Sequence, residues 1–369
     1  MKPFSSLLLA TTVTLLAACN ATPTTPISLH PQALSDTIKD AETSGRIGAW
    51  VRGRIAAWVR GQVASTRPDG VSNTFTENMP AWNLIHLKEA QALAPNLGQG
   101  VVVAVVDTGI DLAHPAFQGH LSDPSTWRDV VNQDADPSEM PTAYNADYGH
   151  GTAVAGVILQ IAPNARIMPV RAMTADGSGL VTDLAAGVDW AASHGAQVIN
   201  VSAASGVDTA LSDAIIRATA KGIYVTMAAG NDATNRVSYP GRRAVQDTGA
   251  LGQYAMNAGA VNADRTLASW SNYGNLLELS APGVDIATPL PGGGYGLASG
   301  TSFSTPVLSG TLALALGQPY KTAYKGQLAA QMDKTGSDLA PYNRSLYVGA
   351  MNPLGSGLLD AGAFLKSIQ

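Results

Sequence analysis

Residues 101–111 read VVVAVVDTGID. Five valines and an alanine in an unbroken run favour an extended strand, because β-branched side chains pack well on a pleated surface. An unbroken apolar run, rather than an alternating one, marks a strand buried on both faces, as in a parallel sheet covered by helices. The run stops on Asp107, and Gly109 permits a sharp turn just after it. Three similar runs follow at 165–170, 197–201 and 223–228, with helical stretches at 180–193 and 209–221 among them. Alternating strands and helices predict a doubly wound, three-layer α/β domain, a mostly parallel sheet with helices on both faces. In such a sheet polar residues at the carboxyl ends of strands are placed for chemistry.

Two other segments deliver polar residues to turns of this kind. Residues 147–156 (DYGHGTAVAG) put His150 between glycines at a helix start, with Ala153, Val154 and Val157 on the packed side. Residues 300–306 (GTSFSTP) put Ser302 at another helix start. A serine hydroxyl is a weak nucleophile unless a base lies within hydrogen-bond reach and a third group orients that base. Histidine titrates near neutrality and suits the base. A buried Asp107 would fix its tautomer and stabilise the imidazolium. Each residue alone reads as structural; the order Asp, His, Ser at separations of 43 and 152 residues is much more specific.

With these segments in hand, residues 80–364 resemble a subtilisin-family (subtilase) serine endopeptidase. Supporting stretches are AAGND (228–232), DGSG (176–179), INVS (199–202), LSAPGV (279–284), LPG (290–292) and GLLDA (357–361). The resemblance implies catalytic Asp107, His150 and Ser302. It implies an oxyanion hole made by the Asn231 side chain and the Ser302 backbone N–H, the latter also expected at a helix start. It implies that Gly177, Ser178 and Gly179, with Ser202, Ala203 and Ala204, clasp the substrate backbone beside Ala228, Ala229 and Gly230. Tyr239 and Pro240 match a position where relatives carry a cis proline.

Some positions depart from the family pattern. Ala204 stands where glycine is usual, so its methyl is expected to narrow the pocket against large aromatic side chains. Asp232 is read either as a rim charge attracting a basic side chain or as a solvated turn carboxylate. No cofactor is required. The interval after residue 156 has no room for the family's tight calcium loop, and calcium needs six to eight oxygen ligands. The stretch 241–254 is longer than usual, which puts a second, weaker cation site in doubt. Asp134, Asp136 and Glu139 form an acidic patch read mainly as a solvated loop, with calcium as the alternative. His86, His114, His120 and His194 lack metal-ligand spacing and read as structural.

Composition narrows the rest. Charged residues are 13% of the 369, about half the ~25% usual in globular chains, and the net charge is −5 with no Lys/Arg run. That excludes a nucleic-acid binder, which needs a basic footprint. One cysteine excludes a disulfide scaffold. This Cys19 closes the stretch LAAC after a one-charge, apolar start, so residues 1–18 read as a signal peptide and Cys19 as the lipidated first residue of a lipoprotein. Residues 19–45 read as a tether, 46–79 as a pro-segment or helical leader, and 80–369 as the catalytic domain.

The leader contains a tandem repeat, RIGAWVRG (46–53) and RIAAWVRG (54–61). At 100° per residue Ile47, Trp50, Val51, Ile55 and Trp58 share one face. The expectation is a short helix packed on the main domain or removed with a pro-segment; a helix lying in a membrane interface is the alternative. Expected partners are protein or peptide substrates and a membrane reached through the lipid, with no nucleic acid and a monomeric state. The expected location is secreted, held at the cell envelope or extracellular after processing. A catalytically weak pseudoprotease serving as an envelope binding module is the second functional reading.

Overall fold

The computed structural model describes residues 46–48, 56–57, 75–140, 149–205, 210–246, 249–347 and 352–369. All belong to one compact unit, Lys39–Gln369; a second unit, Met1–Ile38, lies outside the described residues, and so does Cys19. The strands are β1 (Arg46–Gly48), β2 (Ala56–Ala57), β3 (Val102–Asp107), β4 (Arg128–Asp129), β5 (Arg166–Arg171), β6 (Ser178–Leu180), β7 (Val198–Val201), β8 (Tyr224–Ala228), β9 (Ala255–Val261), β10 (Leu279–Pro282), β11 (Ile286–Leu290) and β12 (Gly294–Ala298). The helices that matter below are α1 (Leu87–Leu93), α2 (His150–Ile161), α3 (Val181–Ser193), α4 (Ala210–Ala220), α5 (Thr301–Leu316), α6 (Leu328–Lys334) and α7 (Ala361–Ile368).

Seven strands form one sheet in the order β10-β9-β8-β7-β3-β5-β4, and every neighbouring pair is parallel. The chain leaves β3 toward β4 and β5 on one side, then returns to lay β7 to β10 on the other. The order therefore reverses between β3 and β7, the place where open α/β sheets form a crevice beyond their carboxyl ends. Alternate residues of β3 feed two cores. Val103 and Val105 pack with Val154, Val157 and Ile158 of α2 and Phe303, Val307 and Leu308 of α5. Ala104 and Val106 pack with Leu184 and Val188 of α3 and Leu211 and Ile215 of α4. This two-sided burial is the doubly wound, three-layer arrangement expected from the unbroken apolar run.

Helix α5 is buried from Thr301 to Ala315, so it has no solvent face to make it amphipathic. Close packing against α2 depends on Gly310: a methyl there would sit 2.6 Å from Ile161 Cβ. Helix α2 is also buried throughout, and only residues 162–165 separate it from β5. Packing of the main domain begins slightly before Pro80. Phe75 is buried edge-on to Tyr295, with ring centroids 5.3 Å apart. The Asn78 amide donates to Ala287 O (2.8 Å) and accepts from Ala287 N (2.7 Å), serving β11 as a neighbouring strand would.

The leader corrects one expectation. Residues 46–48 and 56–57 are strands, not parts of a helix. Arg46, Ile47 and Gly48 pair antiparallel with Leu180, Gly179 and Ser178 of β6, while Ala56 and Ala57 pair with Leu297 and Gly296 of β12. The physical reason is tertiary. Glycines weaken a helix here, and two sheet edges offer rows of unpaired backbone groups that an extended segment satisfies.

Candidate active site

Asp107 is the last residue of β3 and wholly buried. Its Oδ1 accepts from His150 Nδ1 at 2.7 Å and from Thr108 N at 2.8 Å. The carboxylate thereby makes Nδ1 the donor, and in that tautomer Nε2 carries the lone pair that can take a proton. His150 opens α2, and Gly151 lets this helix start rest on the end of β3. A Cβ at Gly151 would lie 2.2 Å from Gly109 O and 3.1 Å from Asp107 Cβ. The short Asp107–His150 bond therefore follows from glycine at position 151.

Ser302 lies in the first turn of α5, beside the Phe303 ring, whose centroid is 5.5 Å from that of His150. Its Oγ donates to Ser202 O at 3.2 Å. Pro306, four residues on, has no N–H to give the Ser302 carbonyl. Ser202 Oγ supplies the missing donor at 2.8 Å. Ser202 Oγ accepts in turn from Asn200 Nδ2 (2.8 Å), and Asn200 Oδ1 accepts from Ser309 Oγ (3.0 Å). A buried polar chain thus joins the end of β7 to the turn that carries Ser302.

Asn231 follows β8. Its Oδ1 accepts from Thr301 N (2.9 Å) and Thr301 Oγ1 (2.8 Å). Because Thr301 N–H can only donate, the amide is oriented with its oxygen toward α5 and its NH2 as the other end. Gly230 has φ +104, and a Cβ there would meet Asn272 Nδ2 at 2.3 Å. The Asn272 oxygen accepts from Asp232 N (2.9 Å) and its NH2 reaches Asp232 Oδ2 (3.3 Å), so the Asp232 carboxylate is half-buried and tied to its own turn.

Gly177, with φ +71, closes the Thr174 turn that presents Ser178 and Gly179 on β6. Ser202, Ala203 and Ala204 follow β7 and are all buried, as are Ala228, the last residue of β8, and Ala229 and Gly230 after it. Ser205 and Tyr239 exchange backbone hydrogen bonds of 2.7 and 3.0 Å, and the Tyr239–Pro240 bond is cis. The described residues named from sequence thus come from the carboxyl ends of β3, β7 and β8, from β6 and the turn before it, and from the starts of α2 and α5.

The acidic patch does not exist as one feature. Asp134 Oδ1 accepts from Asp136 N and Asp136 Oδ1 from Ser138 N, both local turns on the exposed loop. Glu139 instead points inward, its N–H bonded to Ile110 O (3.0 Å) and its carboxylate to Thr108 and Thr152. Sequence reasoning missed Glu139, Thr108, Thr152 and Asn272, because each acts through a partner far away in the chain. Of the other histidines, His86 pairs with Asp360 (2.9 Å), His114 bonds Ala116 N and Gly294 O, and His194 stacks on Trp190.

The subtilase family model matches residues 98–350. An alkaline protease of Alkalihalobacillus alcalophilus is 34% identical over 312 residues, covering 80% of this chain and 72% of that protein. The chain belongs to the subtilase family. Subtilisin BL of Lederbergia lenta is 34% identical over 72% of this subtilase and 91% of the relative. The crystal structure of a cold adapted subtilisin-like serine proteinase aligns with a TM-score of 0.55 and 32% identity, over 65% of this chain and 84% of the other. The subtilase is therefore a serine endopeptidase with the subtilisin-like fold, acting on proteins or peptides. An inert binding module is not favoured.

Proposed function

We propose that this subtilase cleaves peptide bonds through an acyl-enzyme on Ser302. The observation that carries the proposal is the 2.7 Å bond between buried Asp107 and His150, formed where the Ser302 turn packs. Ser302 Oγ attacks the scissile carbonyl carbon and its proton passes to His150 Nε2. Collapse of the tetrahedral intermediate expels the amine, which takes that proton. Water then attacks the acyl-enzyme, gives its proton to His150, and Ser302 leaves with it. Side chains make every proton transfer, and no cofactor takes part. A substrate N–H docking on Ser202 O would compete with the Ser302 hydroxyl for that carbonyl and turn it toward His150.

The oxyanion is held by the Asn231 NH2 and the Ser302 N–H at the start of α5, where the helix dipole adds to both. Asn231→Ala is expected to lower kcat by ~10²–10³ with KM little changed, a range that comes from subtilisin itself rather than from this chain. Steady-state kinetics on a chromogenic peptide would decide it; a kcat within threefold of wild type would remove Asn231 from the mechanism. The Ala204 methyl disfavours large aromatic side chains in the adjoining pocket.

We further propose export and anchoring through Cys19, with the leader removed by the enzyme itself. Support for the second step is β1, which lies antiparallel on β6, the edge a substrate backbone would use. Ser302→Ala protein is expected to keep a leader that the wild type loses, starting at lipidated Cys19. Mass spectrometry of the N-terminal peptides from both proteins tests this, and identical starts would exclude self-processing.

A further inference from the structure

Among the described residues Glu139 makes no hydrogen bond to the substrate-clasping segments, yet four donors converge on its carboxylate. Thr108 Oγ1 (2.7 Å) and Gly149 N (3.3 Å) donate to Oε1; Thr152 Oγ1 (2.9 Å) and Thr152 N (3.3 Å) donate to Oε2. Thr108 Oγ1 in turn accepts from Gly151 N at 3.0 Å, and Thr152 Oγ1 from Asp111 N at 2.9 Å. Helix α2 begins on Gly149, which has no side chain to satisfy the N–H groups that a helix start leaves without partners. Glu139 answers those groups from a different part of the chain, directly for residues 149 and 152 and through Thr108 for residue 151. The same carboxylate grips the residue next to Asp107. His150 itself sits between two glycines, so its own flanks do little to fix it.

We infer that Glu139 is a positioning residue for the His150 base: it clamps the end of β3 that carries Asp107 to the first turn of α2 that carries His150. The inference rests on the endopeptidase mechanism proposed above. Glu139 acts through Thr108 and Thr152, not on substrate. Its charge matters because an ionised carboxylate can accept from all four donors, whereas a protonated one gives up part of that capacity. Burial pushes its titration up to about 7; the Thr108 and Thr152 hydrogen bonds pull it down, and the neighbouring Asp107 carboxylate pushes it up.

Among the described residues, the charged group that acts on it is Asp107 from β3. Asp111 contributes only its backbone N–H, and Asp134 and Asp136 turn back onto their own loop. As pH falls through neutrality, Glu139 therefore takes up a proton, and the clamp loosens, in the range where histidine bases are lost. The acid limb of kcat should then be steeper than one proton allows.

The test uses the full chain carrying Glu139→Gln, with Thr108→Val and Thr108→Ser beside it. Glu139→Gln is expected to lower kcat by about 10² through misplacement of the base, with KM within twofold. Its acid limb should become single-proton and move to lower pH, because one negative charge near the imidazolium is gone. Thr108→Val should follow it, and Thr108→Ser, which keeps the hydroxyl, should retain wild-type kinetics. The downfield proton resonance of the His150 ring N–H bonded to Asp107 gives a readout independent of turnover; its titration should also move to lower pH in Glu139→Gln. A Glu139→Gln kcat within twofold of wild type would overturn the inference. So would a loss of kcat with both the acid limb and the His150 resonance unchanged. Should Glu139→Gln fail to fold, Thr108→Val carries the same measurements. A wild type that cleaves no peptide would defeat the endopeptidase mechanism instead, and the resonance would still report on the clamp.

Discussion

Ser302→Ala protein is expected to hydrolyse peptides about 10⁶-fold more slowly than wild type, a magnitude that belongs to subtilisin and is carried over from it. The reason is that, among the described residues, no neighbouring hydroxyl is placed to substitute. Ser202 Oγ is committed to the Ser302 carbonyl and to Asn200. Thr301 Oγ1 donates to Asn231 and accepts from Gly230 N. Ser304 Oγ donates to Ala281 O at 3.0 Å, on the opposite side of the turn's hydrogen-bond set. What survives is the oxyanion site, and donors alone leave ~10³–10⁴ over water. Stability should change little, since the substitution removes one 3.2 Å hydrogen bond of the ordinary kind, typically about 1 kcal/mol. The measurements are initial rates on a peptide and labelling by a serine-directed phosphonate. Turnover within tenfold of wild type, or undiminished labelling, would remove Ser302 from its place.

Features set by local chemistry could be read directly from the chain. The valine run of β3 has its two faces buried by different helices, as its unbroken pattern implied, and the boundaries of β5, β7 and β8 lie within a residue or two of the apolar runs. His150 and Ser302 both lie in the first turn of a helix whose cap is a glycine. What could not be read depends on partners distant in sequence. The 46–61 repeat fits a helical face as well as it fits a strand, and only the edges of β6 and β12 decide between them. Glu139 sits among exposed acids and looks like one of them. Its inward turn is set by the Ile110–Ser138 bridge, which pairs residues 28 apart and turns successive side chains to opposite sides. Asn78 is likewise an ordinary polar residue until Ala287 is placed against it.

The second large effect concerns Asp107. Asp107→Asn is expected to lower kcat at neutral pH, but by less than the ~10⁴ lost when the same change leaves a serine protease with this triad in the wrong histidine tautomer. The hydrogen bonds define which part of that loss applies here. Both donors, His150 Nδ1–H and Thr108 N–H, meet the same oxygen, Oδ1, while Oδ2 is buried with no hydrogen-bond partner among the described residues. In the asparagine variant Thr108 N–H can be answered only by the amide oxygen, so the oxygen stays at the Oδ1 position and continues to accept from His150. The amide NH2 then falls where Oδ2 was, a buried donor without an acceptor, typically worth about 1–3 kcal/mol of destabilisation. The tautomer should therefore survive, and the kinetic loss should come from removing the negative charge that stabilises the imidazolium formed during attack. The acid limb of kcat should move to lower pH, because the imidazolium gives up its proton more readily without that charge. Melting temperature, the pH profile and the His150 ring N–H resonance together test the account. A variant whose N–H resonance vanishes while its stability is unchanged would mean that the amide had flipped and that Thr108 does not control its orientation.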